Sequence, residues 1–206
     1  MQQLQRIPMG DFVGTLRAIP EEEFQQGRIL KLMSALLLTE DSLARYLHPS
    51  SERYTRNLVY RNDLFEVMVL CWDVGQKTPI HNHDDQLGWL SIQKGMLSLQ
   101  NYRRTSCIHG GPGKDPAHCK AGFPSPVELE EVSRIAISGV GAVTTTDRDD
   151  TIHEIANLKA FQEPAVSVHV YSRPLDSCVV FDPETRTCQR VQLSFHSEYG
   201  KQVVAA

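Results

Sequence analysis

The sequence lacks a strong charge of one sign, a long hydrophobic run and an even number of cysteines. Its 206 residues carry 21 Lys and Arg against 25 Asp and Glu, which gives a formal net charge of −4. Such a balance produces no long-range field for phosphate groups, so we expect no binding to nucleic acid or to an anionic membrane. The longest apolar run, residues 67–72, has the length of a strand and is too short to cross a bilayer.

The cysteine count and the N-terminal residues indicate the compartment. Five cysteines cannot form a closed set of disulfides, and residues 1–20 contain no apolar run of the kind that directs export. We therefore expect a reducing cytoplasm. The ordinary globular composition, 41% hydrophobic and 22% charged, predicts one domain over residues 1–206, and we expect that domain to be a monomer.

The hydrophobic period divides this domain into a helical and a β part. In residues 1–48, Pro20 and Thr39 are each followed by acidic residues, as at helix starts, and predict an N-terminal helical layer. From residue 54 to 198 hydrophobic residues recur at every second position, which is typical of strands. This pattern predicts a mainly β fold, a sandwich or barrel of many short strands. Residues 103–126 are rich in Gly and Pro and predict one long surface loop.

Two histidines spaced for one strand face are the first candidate site. His81 and His83 lie at i and i+2, so both imidazoles project from the same side of a strand and can reach one metal ion. The spacing is common, and taken alone it is more often an ordinary structural pair than a metal site.

The residues around this pair strengthen the metal hypothesis. The spacing from Gly75 through the two histidines to Gly95 resembles the first motif of the cupin superfamily. His153 and Asn157 resemble the end of the second cupin motif. Where cupins usually carry an acidic ligand, this chain has Leu87 and Gly88, so the resemblance implies an all-histidine site: His81, His83 and His153.

Three neutral imidazoles would leave the charge of a divalent cation uncompensated and several coordination positions open. The uncompensated positive charge favours an anionic ligand such as a thiolate. Catalytic zinc sites also use three histidines, so the ligand type alone leaves the metal open.

A polar stripe on a later strand is the second candidate site. Ser167, His169 and Tyr171 share one face, and valines occupy the alternate positions. In a half-buried strand the polar face ordinarily meets solvent. The alternative places the valines against another layer and the three polar side chains inside the barrel, within hydrogen-bonding reach of one another and of the metal.

Arg56 is a candidate anion-binding residue. It shares a strand face with Tyr54, and a guanidinium inside the barrel would need an anion, which a substrate carboxylate could supply. A surface position for Arg56 is the simpler alternative.

Several blocks of the chain, taken in order, resemble the cysteine dioxygenase family. They are residues 54–59, 68–72, 79–83, 163–172, 176–178, 181–182 and 194–197. This resemblance extends from about residue 20 to 200 and is more specific than the cupin spacing.

The resemblance implies a non-haem iron(II) thiol dioxygenase that converts L-cysteine and O2 to cysteine sulfinic acid. It implies that three residues hold Fe2+: His81, His83 and His153. By match of position, Arg56 would pair with the substrate carboxylate and Tyr54 would support it. Tyr171, oriented by His169 and Ser167, would assist O2 activation.

This chain departs from the animal members of that family at two positions. Gly88 stands where they have the cysteine that crosslinks to the active-site tyrosine, so we expect Tyr171 to be unmodified. Arg173 replaces a proline, and we expect it at the rim of the pocket and no cis bond before it.

Two alternative functions stay open at this stage. One is oxidation of another small thiol such as 3-mercaptopropionate, although relatives that prefer it have Gln in place of Arg56. The other is a non-catalytic cupin that binds a metal or ligand as a sensor. A sensor has no need for Tyr171 and Arg56 to converge on the histidines.

Overall fold

A computed structural model of the chain describes residues 5–84, 86–107, 125–139, 142–146 and 151–203. Within these residues an N-terminal helical layer precedes thirteen strands. The α-helices are α1 Met9–Arg17, α2 Gln26–Ser34 and α3 Glu40–Ala44. The strands are β1 Thr55–Arg61, β2 Phe65–Trp72, β3 Ile80–His81, β4 Gly88–Lys94, β5 Met96–Cys107, β6 Ser125–Ser138, β7 Val143–Thr146, β8 Ile152–Ala156, β9 Ala165–Ser172, β10 Ser177–Asp182, β11 Thr187–Gln192, β12 Ser197–Glu198 and β13 Lys201–Gln202.

The helical layer contains one helix that the sequence analysis did not single out. Helix α1 follows Pro8 and has Asp11 in its first turn and Arg17 in its last, in agreement with the helix dipole. Helix α3 begins directly after Thr39, as predicted, whereas Pro20 begins only a single 3-10 turn, Glu21–Glu23. No described helix has the length and apolar character needed to span a membrane.

The strands form two packed sheets. Seven strands lie in the order β13-β12-β1-β2-β9-β4-β7, and six more form a closed set in the order β10-β11-β6-β5-β8-β3, in which β10 also pairs with β3. All pairs are antiparallel except β1 with β12. This double-sheet β barrel with a helical layer is the cupin fold that the sequence predicted.

The helices pack on the outer face of the seven-stranded sheet. Val166, Val168 and Val170 of β9 belong to one buried cluster with apolar side chains of all three helices. Because side chains alternate along a strand, Ser167, His169 and Tyr171 point the opposite way, into the barrel. The polar stripe therefore lines the interior.

The surface loop expected over residues 103–126 is shorter at both ends than predicted. Strand β5 continues to Cys107 and β6 begins at Ser125, and the two pair from Tyr102↔Glu131 to Cys107↔Val127. Opposite charges across this ladder, such as Arg103 and Glu130 with nitrogen and oxygen 2.6 Å apart, let a polar sequence form an exposed hairpin. Residues 108–124 of the expected loop lie outside the described residues.

Candidate active site

The three candidate metal ligands come together inside the barrel. Strands β3 and β8 pair so that His81 and His153 are directly opposite, and His83 follows two residues later. The Nε2 atoms of His81 and His83 are 3.3 Å apart. One ligand atom from each of the three histidines lies within 4.8 Å of the others.

Burial keeps these histidines neutral. Desolvation lowers the pKa of His81 to about 4. Desolvation, followed by repulsion from neighbouring histidines, places the pKa of His83 and of His153 well below the ordinary range. A neutral imidazole offers the lone pair that a transition metal needs, so the site is chemically suited to a divalent ion.

His153 provides a further indication of a missing partner. Both of its ring nitrogens are buried, and neither has a hydrogen-bond partner among the described residues. Leaving buried polar atoms unpaired is costly in a folded protein. A metal bound to one of the two nitrogens would remove part of this cost.

Neighbouring contacts fix the orientation of the paired histidines. His81 Nδ1 lies 3.0 Å from the carbonyl of Pro79, so Nδ1–H donates there and Nε2 keeps its lone pair. Between the two ligands, Asn82 Oδ1 accepts a hydrogen bond of 3.0 Å from the Val179 amide. Directly after His83, Asp84 forms a two-pronged ion pair with Arg190 of β11.

A hydrogen-bonded chain leads through the polar stripe to a tyrosine beside these histidines. Trp72 Nε1 donates to Ser167 Oγ at 2.9 Å, and Ser167 Oγ lies 2.8 Å from His169 Nε2. His169 Nδ1 is 3.2 Å from the Tyr171 hydroxyl, and the Tyr171 ring meets His83 edge-on at 5.0 Å between centroids. We call these four residues, Trp72, Ser167, His169 and Tyr171, the relay.

The pKa values of the relay are shifted by its burial. Desolvation lowers the pKa of His169 to about 3 and raises the pKa of Tyr171 far above its ordinary range. Both side chains are therefore neutral over the physiological range, and the tyrosine keeps its proton.

Arg56 of β1 and Tyr54, which directly precedes that strand, extend into the same barrel interior. The Arg56 side chain is 12% exposed. Its Nη1 donates to the Ser194 carbonyl at 3.3 Å, and its guanidinium lies 5.1 Å from the centre of the Phe195 ring. Tyr54 stacks on Trp72 with ring centroids 4.8 Å apart.

A cavity of about 80 Å³ joins these groups. The predicted site residues that line it are Tyr54, Arg56, His81, His169 and Tyr171. His83 and His153 line a smaller adjoining space together with Gly88 and Tyr171. Ser167 lies behind His169 in the relay, so the structure brings every predicted site residue into one region.

Known proteins resemble the chain over most of its length. Residues 10–184 match the sequence model of the family "cysteine dioxygenase type I". The chain belongs to this family. It is 31% identical to cysteine dioxygenase type 1 of Bos taurus, over 87% of this chain and 80% of the relative. It is 32% identical to the Rattus norvegicus enzyme of that name, over 76% of this chain and 70% of the relative.

Solved structures give a weaker likeness. A protein with a double-stranded β-helix domain from Klebsiella pneumoniae is 18% identical, with a TM-score of 0.40, over 64% of this chain and 87% of that one.

The two departures from the animal members can now be placed. Gly88 lies directly opposite Tyr171 in the β4–β9 pair, so this member of the cysteine dioxygenase family has no side chain there to crosslink. Arg173 was expected at the pocket rim, but its Nη2 lies 3.2 Å from Glu21 Oε1 in the helical layer, and it does not line the cavity. Its backbone lies in the left-handed region, with φ +70°, directly after β9. No cis peptide bond occurs in the described residues.

The sequence pattern alone does not identify Glu66 as a functional residue, although it is a completely buried carboxylate in β2. Its Oε1 is 4.0 Å from Arg56 Nη2 and its Oε2 is 3.7 Å from Arg61 Nη1. Burial raises its pKa, and Arg56 opposes that shift. The available signal was a lone charged residue within the otherwise apolar β2, Phe65–Trp72, where only a paired charge is tolerated.

Proposed function

We propose that this protein is an iron(II)-dependent dioxygenase that converts L-cysteine and O2 to cysteine sulfinic acid. Its family membership supports this reaction, because the relatives named above are cysteine dioxygenases. The observation that carries the proposal is that Arg56, Tyr171 and His81 line one cavity. This is the convergence that a sensor would not need.

The three histidines would hold the metal through neutral nitrogens. When bound, Fe2+ would supply the redox chemistry and bring the substrate thiolate and O2 next to each other. Because the ligands carry no charge, the site keeps a net positive charge that favours an anionic sulfur ligand. The protein controls this selectivity by keeping His81, His83 and His153 neutral.

Arg56 would bind the substrate carboxylate. Among its described contacts, only one guanidinium N–H donates to the protein, at Ser194, so several donors stay available for a two-pronged bond. Tyr54 is stacked on Trp72 next to Arg56 and would support the same end of the substrate. Carboxylate and thiolate would then occupy opposite ends of the cavity.

The relay would fix the proton of Tyr171. The indole N–H of Trp72 can only donate, so Ser167 Oγ accepts it and gives its own proton to His169 Nε2. His169 then carries its proton on Nδ1 and donates to the Tyr171 oxygen. In this arrangement the indole, serine hydroxyl and imidazole protons each have an acceptor within the relay, and the Tyr171 proton points into the cavity.

We further propose a cytoplasmic location. The buried cysteines Cys71 and Cys178 are free thiols, which agrees with a reducing compartment.

Oxygen uptake by the iron-loaded protein tests the reaction directly. L-cysteine, 3-mercaptopropionate and cysteamine would be offered in parallel, with the sulfinate product identified by mass spectrometry. We expect the highest kcat/KM with L-cysteine and no uptake by the His153→Ala variant. No uptake with any thiol would exclude the proposed reaction. A tenfold preference for 3-mercaptopropionate, about 1.4 kcal/mol, would reassign the substrate.

A further inference from the structure

Glu66 is a buried charge to which the proposed reaction gives no role. It is 0% exposed, and its carboxylate lies between two guanidinium groups, those of Arg56 and Arg61. The Leu175 amide donates to Oε1 at 3.3 Å, and no described group hydrogen-bonds to Oε2. A carboxylate held this loosely in the interior contributes little stability of its own.

A bulge in β1 places both cations on the face of Glu66. Arg56 pairs with Leu70 and Leu58 pairs with Met68, but the register then shifts, so that Arg61 pairs with Glu66. Without the extra residue, strand alternation would turn Arg61 to the outer face of the sheet. The bulge therefore builds a site for one buried carboxylate between two arginines.

The geometry also shows where the Arg56 side chain extends. The backbone of Arg56 is opposite Leu70, four residues from Glu66 along β2, or roughly 13 Å at 3.3 Å per residue. Its Nη2 nevertheless lies 4.0 Å from Glu66 Oε1. The side chain is thus drawn along the barrel interior toward Glu66, although Arg56 also lines the outer pocket at the cavity mouth.

We propose that Glu66 is a positioning residue that holds Arg56 inside the cavity, so that the guanidinium meets the substrate carboxylate. This inference rests on the proposed function. Without the Glu66 charge, Arg56 loses its described ion-pair partner and can turn toward solvent through the mouth. Glu66 would then act on substrate selection, and specifically on the preference for thiols that carry a carboxylate.

Binding of two thiols that differ in the carboxylate tests this role. Cobalt(II)-loaded protein would be titrated with L-cysteine and with cysteamine, and each Kd read from the thiolate-to-cobalt charge-transfer absorption. The Glu66→Gln variant keeps the shape and removes the charge. We expect its Kd for L-cysteine to rise about tenfold and its Kd for cysteamine to stay within about twofold.

The matched control is Asp176→Asn. Asp176 is the other carboxylate partner of Arg61, with Nη2 and Oδ1 2.7 Å apart, and has no described contact with Arg56. We expect this variant to keep both Kd values.

If Glu66→Gln does not fold, as judged by circular dichroism, Glu66→Asp carries the same test. It keeps the charge on a shorter side chain, and we expect a smaller rise in Kd, again confined to L-cysteine.

Three outcomes would overturn the inference. If Glu66→Gln weakens the binding of both thiols equally, Glu66 supports only the fold. If the Kd for L-cysteine is unchanged, Arg56 is held in place without Glu66. Tighter binding of L-cysteine would mean that Glu66 competes with the substrate carboxylate. The proposed function fails separately, because it is judged by oxygen uptake of the wild-type iron protein and the cobalt titration measures binding without turnover.

Discussion

Replacing Ser167 by alanine separates the relay's chemical role from its contribution to stability. Ser167 is 0% exposed, accepts from Trp72 and lies 2.8 Å from His169 Nε2. Its removal leaves the Trp72 indole N–H without an acceptor and the His169 Nε2 without a donor. The His169 tautomer is then no longer fixed, and the donor that orients Tyr171 is weakened.

The expected magnitudes follow from the lost contacts. A hydrogen bond contributes about 1 kcal/mol and a buried group left unpaired costs about 1–3 kcal/mol, so we expect a loss of about 2–4 kcal/mol in unfolding free energy. For a domain of this size that lowers Tm by roughly 5–15 °C. Loss of a positioned proton donor should lower kcat about 10- to 100-fold, with little change in KM.

Ser197 provides the matched control. It is also 0% exposed, and its Oγ donates to Asn57 Oδ1 at 2.8 Å, outside the cavity. Ser197→Ala should lose about 1–3 kcal/mol of stability and keep its kcat. Urea unfolding and oxygen uptake, measured well below both Tm values, give the comparison. If Ser167→Ala keeps kcat within twofold of wild type, the relay does not orient Tyr171 and the reasoning is wrong.

Three further predictions concern other parts of the structure. Because Gly88 faces Tyr171, intact-mass analysis after turnover should show no loss of two hydrogens, and such a loss mapped to Tyr171 would contradict the prediction. Gly95→Ala should lower Tm more than Gly139→Ala, although both glycines have positive φ. An added Cβ at Gly95 would lie 2.7 Å from the Pro164 carbonyl oxygen, whereas an added Cβ at Gly139 would have no described atom within 4 Å. An equal Tm loss would rule out that clash. The pKa of His169 is about 3 in the folded state and near 6.5 when unfolded, so the unfolded chain takes up the proton first as pH falls. Between pH 7 and 5, protonation of residue His169 in the unfolded chain should therefore cost about 2 kcal/mol in urea unfolding of the metal-free protein, in addition to the losses from His81, His83 and His153, whose pKa values burial also lowers. The His169→Gln variant should reduce the total pH dependence by about that share; an unchanged pH dependence in that variant would assign the whole effect to the other three histidines.

The sequence predicted the histidine pair and the polar stripe because both depend only on strand alternation. The side chains of His81 and His83 share a face in any strand, and so do those of Ser167, His169 and Tyr171. The sequence left two orientations open for the polar stripe, toward the barrel interior or toward solvent. The choice between them depends on which layer covers the valines. That information lies in the packing of the helices and not in the strand itself.

The role of Glu66 could not be predicted because it depends on register. Whether Arg61 faces Glu66 or the opposite side of the sheet is decided by a single extra residue between Leu58 and Tyr60. Bulges leave little signal in the local sequence, since they are set by the pairing of two strands. The same limit applies to Arg173, whose partner Glu21 is far away in the sequence.

The two halves of the proposed site are held in different ways. Three of the four relay residues lie on β9, which is placed between β2 and β4, so Ser167, His169 and Tyr171 are fixed by backbone ladders on both sides. A central strand covered by the helical layer gives the preorganised geometry that proton placement requires. Arg56, in contrast, reaches its position through a long side chain whose end is held by one carbonyl and one carboxylate 4.0 Å away. Substitutions around Glu66 should therefore change which thiol is bound, whereas substitutions in the relay should change how fast any thiol reacts.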